Sequence, residues 1–328
     1  MMTSSGNLPC RRRCENLIRR VTSSLVAAAL GLYFFGAFAQ TTNISLVPVA
    51  DAFLRAAAPQ DNYGRAGSLT VGGASATNGF GVPGGRFDSL LRFLLTDAVA
   101  SLDNAFGSHD WFVARAVLRV NEVADPANAL FPRGALGPFE LRWLAEDMWT
   151  EGTGSPSVPT RDGVAFQDLP SLLNERRDEL LGNFTNSGSN GPVMFDLSLP
   201  PAFLEDLRAG GEVTLYLRPA SDVLGFVFNS RNFVMESARP RLELTVVAGP
   251  PPRIAAVERT HTGELIVRFN TRSNWTHVLQ YCDALSTNVG TMWANLLSAP
   301  AQPFDGQMEV LDTVTNRQRF YRLGISPQ

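Results

Sequence analysis

Lysine is absent: all 28 basic residues of the 328-residue chain are arginine, set against 31 acids for a formal net charge of −3. Histidine is nearly as scarce. His109, His261 and His277 stand far apart, and none has the spacing of a metal pair, which argues against a zinc site or a Ser-His-Asp triad. The three cysteines are Cys10, Cys14 and Cys282. Two of them precede residue 25, so Cys282 alone is left for the body of the chain, with neither a disulfide partner nor a thiolate cluster. No glycine-rich loop follows a strand and opens a helix, which removes the usual cradle for a nucleotide phosphate.

Long apolar runs are also missing, with one exception. Leu25–Ala39 is uncharged and largely apolar, follows Arg11, Arg12, Arg13, Arg19 and Arg20, and ends in Ala37-Phe38-Ala39. That is the layout of a secretory leader cleaved after Ala39, and it is too short for a spanning helix, which wants ~20 apolar residues. The expectation is a signal peptide over 1–39, an exported product and no membrane span after cleavage. The remaining chain is acidic, at −8 over 40–252, which disfavours nucleic acid as a partner.

What is present reads as strand. In 113–120, Ala114, Ala116, Leu118 and Val120 share one face while Arg115 and Arg119 take the other. The same period of two recurs in 212–218, 241–246 and 264–269, and the segments between are rich in Gly, Asn, Pro and Ser. Alternation with one polar face marks antiparallel sheets packed on a single core. Two helices are expected, over 171–181 and 201–209, the second opened by Pro201 and stopped by Gly210-Gly211. Gly249-Pro250-Pro251-Pro252 forms a stiff seam. The fold class is therefore all-β, with a large antiparallel β-sandwich over 40–248, a linker at 249–252 and a smaller sandwich over 253–328.

Several pieces then fall in a familiar order. Ala50-Asp51-Ala52-Phe53, Asp61-Asn62-Tyr63-Gly64, Leu90-Leu91-Arg92-Phe93, Trp149-Thr150-Glu151-Gly152, Phe195-Asp196-Leu197, Asn229-Ser230-Arg231 and Arg239-Pro240-Arg241-Leu242 run through about 50–246. In that order they resemble the DNRLRE-type family of secreted bacterial β-sandwich domains, which look like carbohydrate-binding modules. The family's acid after the Ser-Arg pair is replaced here by Asn232. Residues 253–328 are similar to small C-terminal sandwich modules of exported proteins of Verrucomicrobia-like bacteria, through Val278-Leu279-Gln280, Trp293 and Arg319-Phe320-Tyr321-Arg322-Leu323. The resemblance implies a jelly-roll-like sandwich, a smaller fibronectin-III-like or immunoglobulin-like module, and a place at or beyond the cell envelope.

The stretch EDMWTEGTGSP at 146–156 carries the sharpest question, because acids beside an indole often furnish polysaccharide-cleaving sites. Glu146 and Glu151 can approach the ~5–9.5 Å that a glycosidase pair requires. The simpler reading is a structural turn after a strand whose Trp143 points into the core. For sugar binding the candidates are Trp149, Glu151, Trp111, Tyr63, Arg92 and Arg142, with Tyr216 and Arg115 behind them, since sugars stack on aromatic faces and hydrogen-bond to charged planar groups. The aromatic candidates are expected near a surface or loop. Jelly-roll binding modules often hold a structural Ca²⁺, for which Asp51, Asp61 and Asn62 could supply oxygens; no other cofactor is called for. Three functions stay open: binding of extracellular polysaccharide or of a cell-envelope or matrix component without catalysis, polysaccharide hydrolysis or lysis, and a purely structural surface role.

Overall fold

The computed structural model describes residues 40–108, 110–273, 275–284, 293–302, 305–313 and 318–327. The expected leader over 1–39 and His109 lie outside the described residues. Residues 38–328 form one compact unit.

The alternating segments are all strands, paired antiparallel throughout. One layer has the order β1 (Thr41–Leu46), β11 (Arg241–Ala248), β5 (Trp111–Glu122) and β8 (Gly191–Leu197). The other runs β7 (Glu179–Thr185), β6 (Pro138–Leu144), β9 (Glu212–Pro219), β4 (Phe87–Leu94) and β2 (Ala50–Arg55). The pair β3 (Ser68–Gly72) and β10 (Gly225–Asn229) joins the layers through single residue pairs, Phe228 with Glu122 and Gly72 with Phe87. This is an all-β sandwich.

The inner faces meet where the alternation puts them from Ala116 onward. A β-bulge in β5 opposite Thr245 and Val246 puts Val113 on the inner face and turns Ala114, expected inside, outward to pack with Phe112 and Trp275. Ala116, Leu118 and Val120 of β5 pack in one cluster with Leu91 and Phe93 of β4 and Leu215 and Leu217 of β9. Rings from three strands lock the layers together: Phe139 lies edge-on to Phe195 at 5.2 Å and stacked on Phe226 at 5.0 Å. Such pairs contribute ~0.5–1.5 kcal/mol beyond the area they bury.

The remaining chain forms two three-stranded sheets. One has the order β12 (Ile254–Arg259), β13 (Leu265–Thr271) and β16 (Gly306–Asp312); the other has β15 (Ala294–Ala299), β14 (Trp275–Cys282) and β17 (Phe320–Pro327). Their core is Val267, Phe269 and Leu279. Trp275 and Ile325 also pack on Phe112, Ala114 and Val247 of the larger sandwich. His277 is buried, and its Nε2 accepts the Arg272 N–H at 3.0 Å. Burial holds this imidazole below its ordinary pKa, as a neutral structural group. His261 lies in an exposed turn, and Cys282 is a buried free thiol.

One of the two helix expectations needs correction. The helix expected over 171–181 is only a short turn, α2 (Leu169–Leu172), followed by a bend and then β7. The Asp178 carboxylate takes the Asn174 N–H at 2.6 Å and the Ala145 N–H at 3.1 Å, which turns the chain. Leu180 is exposed while Leu181 is buried, so the leucines there follow strand alternation. A helix the sequence reading passed over, α1 (Thr96–Phe106), connects β4 to β5 and buries Leu102. The helix read over 201–209 is present as α3 (Pro201–Ala209).

The outer face of the β2–β4–β9–β6 layer is also covered. Ala50, Ala52, Leu54, Leu90, Leu144 and Tyr216 on that face pack against Trp149, Val164, Leu169 and Leu172 from the 145–173 excursion. This second, smaller core decides the fate of the acid–tryptophan stretch.

Candidate functional site

Trp149 is the keystone of that cover. It is 7% exposed, donates from Nε1 to Thr214 Oγ1 at 3.1 Å, and carries the Arg92 guanidinium on its ring at 4.9 Å. Arg92 Nη1 donates to the carbonyls of Asp147 at 2.7 Å and Trp149 at 2.8 Å, and pairs with Glu212 at 3.3 Å. Arg92 thus splints the turn.

Glu151 closes the excursion onto the sheet. Its Oε1 accepts the N–H of Asp51 at 2.9 Å, and Arg231 Nη1 lies 3.3 Å from Oε2 and 3.4 Å from Oε1. The Arg231 N–H in turn donates to Asp51 Oδ2 at 2.6 Å. Asp51 is fully buried, and burial drives its pKa well up, with the neighbouring Glu151 charge adding to the effect. Burial raises Glu151 as well, against the lowering pull of the Asp51 N–H and the Arg231 charge.

Asn62 holds the glycine-rich end. Its Nδ2 donates to the carbonyls of Glu151 at 2.7 Å and Val164 at 2.8 Å, and its Oδ1 accepts from the N–H groups of Gly64 at 3.2 Å and Gly154 at 3.1 Å. Both donors and both lone pairs are taken up, leaving none turned toward a cation. Gly152 has φ +78°, and a Cβ there would overlap the Asn62 amide; one on Gly154 would overlap the Asn62 carbonyl. Only glycine lets the loop close this tightly. Asn232 makes its own bridge, from Nδ2 to the Gly64 carbonyl at 3.0 Å.

The pieces of the sequence pattern therefore converge. Asp51, Asn62, Arg92, Trp149, Glu151 and Arg231 come together at one end of the sandwich, as a scaffold. Three aromatic candidates are not where the sequence reading expects them. Trp111 is 1% exposed, with Nε1 bonded to Asp103 at 2.7 Å, and Tyr63 is 2% exposed and stacked on Phe53 at 4.4 Å. Tyr216 is buried, with its hydroxyl on Asp88. With Trp149, none of these rings offers a face to a sugar. Arg142 pairs with Glu140 at 3.5 Å and Arg115 with Asp196 at 2.6 Å. Asp61 Oδ2 faces the Tyr63 hydroxyl at 3.5 Å. Among the described residues, no group of three His, Cys, Asp or Glu side chains is placed to hold a metal ion.

The acids are similarly engaged. Glu146 accepts its own turn's Met148 N–H at 2.9 Å. A hollow of about 310 Å³ beside Trp149 includes Asp162 and Asp168. Hydrogen bonds from the Thr153 and Thr160 side chains hold Asp162 down at about 2, and Asp168 accepts the Ala165 N–H at 2.9 Å. Asp147 is the exception. Burial lifts its pKa to about 6, Thr214 pulls against that, and Asp206 and Glu212 push it further up. A raised carboxyl pKa contributes stability that is complete below the ordinary value of 3.8 and lost as the pH climbs through about 6. Asp147→Asn should therefore stabilise the protein by about 1 kcal/mol at pH 7, discounted for partial exposure, and by almost nothing at pH 3.5. Urea unfolding at the two pH values measures this.

A larger hollow lies elsewhere. A groove of about 660 Å³ lies where the ends of β3, β5 and β10 meet the loops after β5 and β10, with Pro156 of the glycine-rich loop on its wall. Four asparagines line it: Asn121, Asn128, Asn190 and Asn229. Asn128 and Asn190 spend their oxygens on the N–H groups of Leu130 and Ala124, both at 2.9 Å, which leaves their NH₂ ends for another acceptor. Asn229 Nδ2 donates to the Ala238 carbonyl at 3.1 Å, and its buried Oδ1 has no partner. Partly exposed Phe233 and exposed Met235 supply apolar surface. Glu122, the one ionisable group among the described lining residues, already accepts from Asn186 Nδ2, Ser187 N and Oγ, and Gly188 N at 2.6–3.1 Å. The scaffold sets this groove: Arg231 anchors the Asn229–Met235 segment, and Asn62 anchors the loop that carries Pro156. Sequence reasoning missed it, and four asparagines from four segments carry no pattern that could have revealed it.

No protein-family model matches the chain, and no curated protein matches it. Among solved structures it is similar to that of the Macrobrachium rosenbergii nodavirus, at 10% identity and a TM-score of 0.22 over 99% of this chain and 97% of that one. It is also similar to Ruminococcus gnavus beta-glucuronidase, at 8% identity and a TM-score of 0.20 over 89% of this chain and 42% of that one. At such scores neither likeness carries an argument about function.

Proposed function

We propose that the chain is a secreted, non-catalytic binding module that takes a neutral extracellular polysaccharide in the asparagine-lined groove. The observation that carries this reading is the groove's chemistry. Amide groups with unused hydrogen-bonding capacity sit beside phenylalanine and methionine, and the one ionisable group is fully engaged. Sugars need both polar partners for their hydroxyls and apolar plates for their C–H faces. Among the described residues no arginine or histidine lines the groove, so a uronate carboxylate would find no counter-charge from them. The resemblance to DNRLRE-type domains and the leader-like 1–39 segment support a role outside the cell or on its surface. Among the described residues, no helix is long and apolar enough to cross a membrane.

Affinity electrophoresis of the full chain in gels cast with neutral or uronate polymers tests the reading. Retardation is expected in at least one neutral polymer, and Phe233→Ala combined with Asn121→Leu should weaken it about tenfold or more, in line with losing ~1–3 kcal/mol of contact energy. Retardation only by uronates, or an unaffected double variant, would place binding elsewhere.

A further inference from the structure

The four edges of the large sheet are not alike. On β2, the N–H of Asp51 is occupied by Glu151. Strand β8 carries Pro192 and an Asp196 paired to Arg115, and β7 opens with Glu179. Proline, charge and covering loops are the usual protections against edge-to-edge pairing. Strand β1, Thr41-Thr42-Asn43-Ile44-Ser45-Leu46, has no charge, no proline and no register shift against β11.

Its hydrogen-bonding direction follows from the register. The pairs run Thr41 with Val247 through Leu46 with Leu242, and the Ala248 N–H donates to the Gln40 carbonyl at 2.9 Å. Gln40 and Ala248 are thus a hydrogen-bonded pair, and in an antiparallel ladder such pairs alternate. Thr42, Ile44 and Leu46 therefore turn their backbone groups to β11. Asn43 and Ser45 turn theirs outward, where no described strand pairs with them.

We propose that this edge pairs with the same edge of a second copy of the chain, antiparallel, about a twofold axis at Ile44. Asn43 of each copy then exchanges both backbone hydrogen bonds with Ser45 of the other, four bonds in all. Ile44 meets its own counterpart on the core side, with Thr42 opposite Leu46. The half-buried, core-facing residues Thr42, Ile44 and Leu46 stay on one face across the seam, and Asn43 and Ser45 stay on the other. No β1 side chain carries a charge, so none is set against its own counterpart; the Arg241 guanidinium reaches Ser45 Oγ at 3.4 Å from β11. A six-residue seam falls below the ~1,200 Å² of a stable interface, so the dimer is weak and its population rises with concentration. A two-copy display of the groove would gain avidity on a repeating polymer, although the pairing does not depend on what the groove binds.

Sedimentation of the full chain over a wide concentration range tests this. The wild type should shift from monomer toward dimer, and Asn43→Pro should stay monomeric with its melting temperature unchanged, because the lost N–H points away from β11. A register test runs beside it with Cys10 and Cys14 replaced by serine. Mild oxidation should cross-link Ile44→Cys, which faces itself at a non-hydrogen-bonded pair, and leave Asn43→Cys monomeric. A wild type that is monomeric throughout, an Asn43→Pro variant that dimerises like it, or cross-linking of Asn43→Cys in preference to Ile44→Cys would overturn the proposal. None of these outcomes bears on glycan retardation.

Discussion

Asn62→Ala should destabilise the protein by about 3–5 kcal/mol, measured by denaturant unfolding. The side chain is fully buried and makes four hydrogen bonds within 3.2 Å, two as donor and two as acceptor. Alanine would leave the N–H groups of Gly64 and Gly154 and the carbonyls of Glu151 and Val164 without partners, in a space the glycines have closed against water. Each such group costs about 1–3 kcal/mol, reduced here because the loop can swing out and hydrate. The loop should then become a preferred cleavage site over 150–164 in limited proteolysis. Asn62→Asp should also fail, since it keeps the two accepted bonds but turns an oxygen toward two carbonyls. A loss under about 1 kcal/mol for alanine would mean that Trp149, Arg92 and Glu151 hold the excursion without Asn62.

Glu151→Gln should lower the pKa of Asp51 while leaving the stability at pH 7 within about 1 kcal/mol of wild type, because burial raises the Glu151 carboxyl and so sets the cost of its charge against the Arg231 contact. An amide can still accept the Asp51 N–H, but it loses the charge that faces Arg231 at 3.3 Å. Removing the Glu151 charge also takes away one of the influences that raise Asp51, so the pKa of Asp51 should fall in the variant. Proton titration of Asp51 followed by carbon-detected NMR reads this shift.

Much of the sandwich was legible because its strands obey period two on their inner faces. Leu118 and Val120, or Leu215 and Leu217, declare a core wherever the chain goes next. The outer face of β9 was not legible. Thr214 and Tyr216 look like a polar, solvent-facing row, yet both are buried, because a segment 65 residues earlier in the chain folds over them. The same long-range cover takes Trp149 inside, while Trp111 and Tyr63 are lost to Asp103 and Phe53. An aromatic's exposure depends on partners that sequence spacing does not encode. The acids of 146–151 were visible as a cluster, but their roles follow from Asp51, Arg231 and Met148, whose approach only the fold decides. The leucines of 171–181 misled because a four-residue turn and a strand can share the spacing of a helix.

On the proposed reading, the acid–tryptophan stretch builds a scaffold and the neighbouring groove does the binding. Incubating wild type and Glu151→Gln with a panel of polysaccharides, and measuring the release of new reducing ends, tests it most directly. Neither protein should release new ends, including on the polymers that retard the wild type in gels. Release by the wild type that disappears in Glu151→Gln, with the variant still folded, would contradict it.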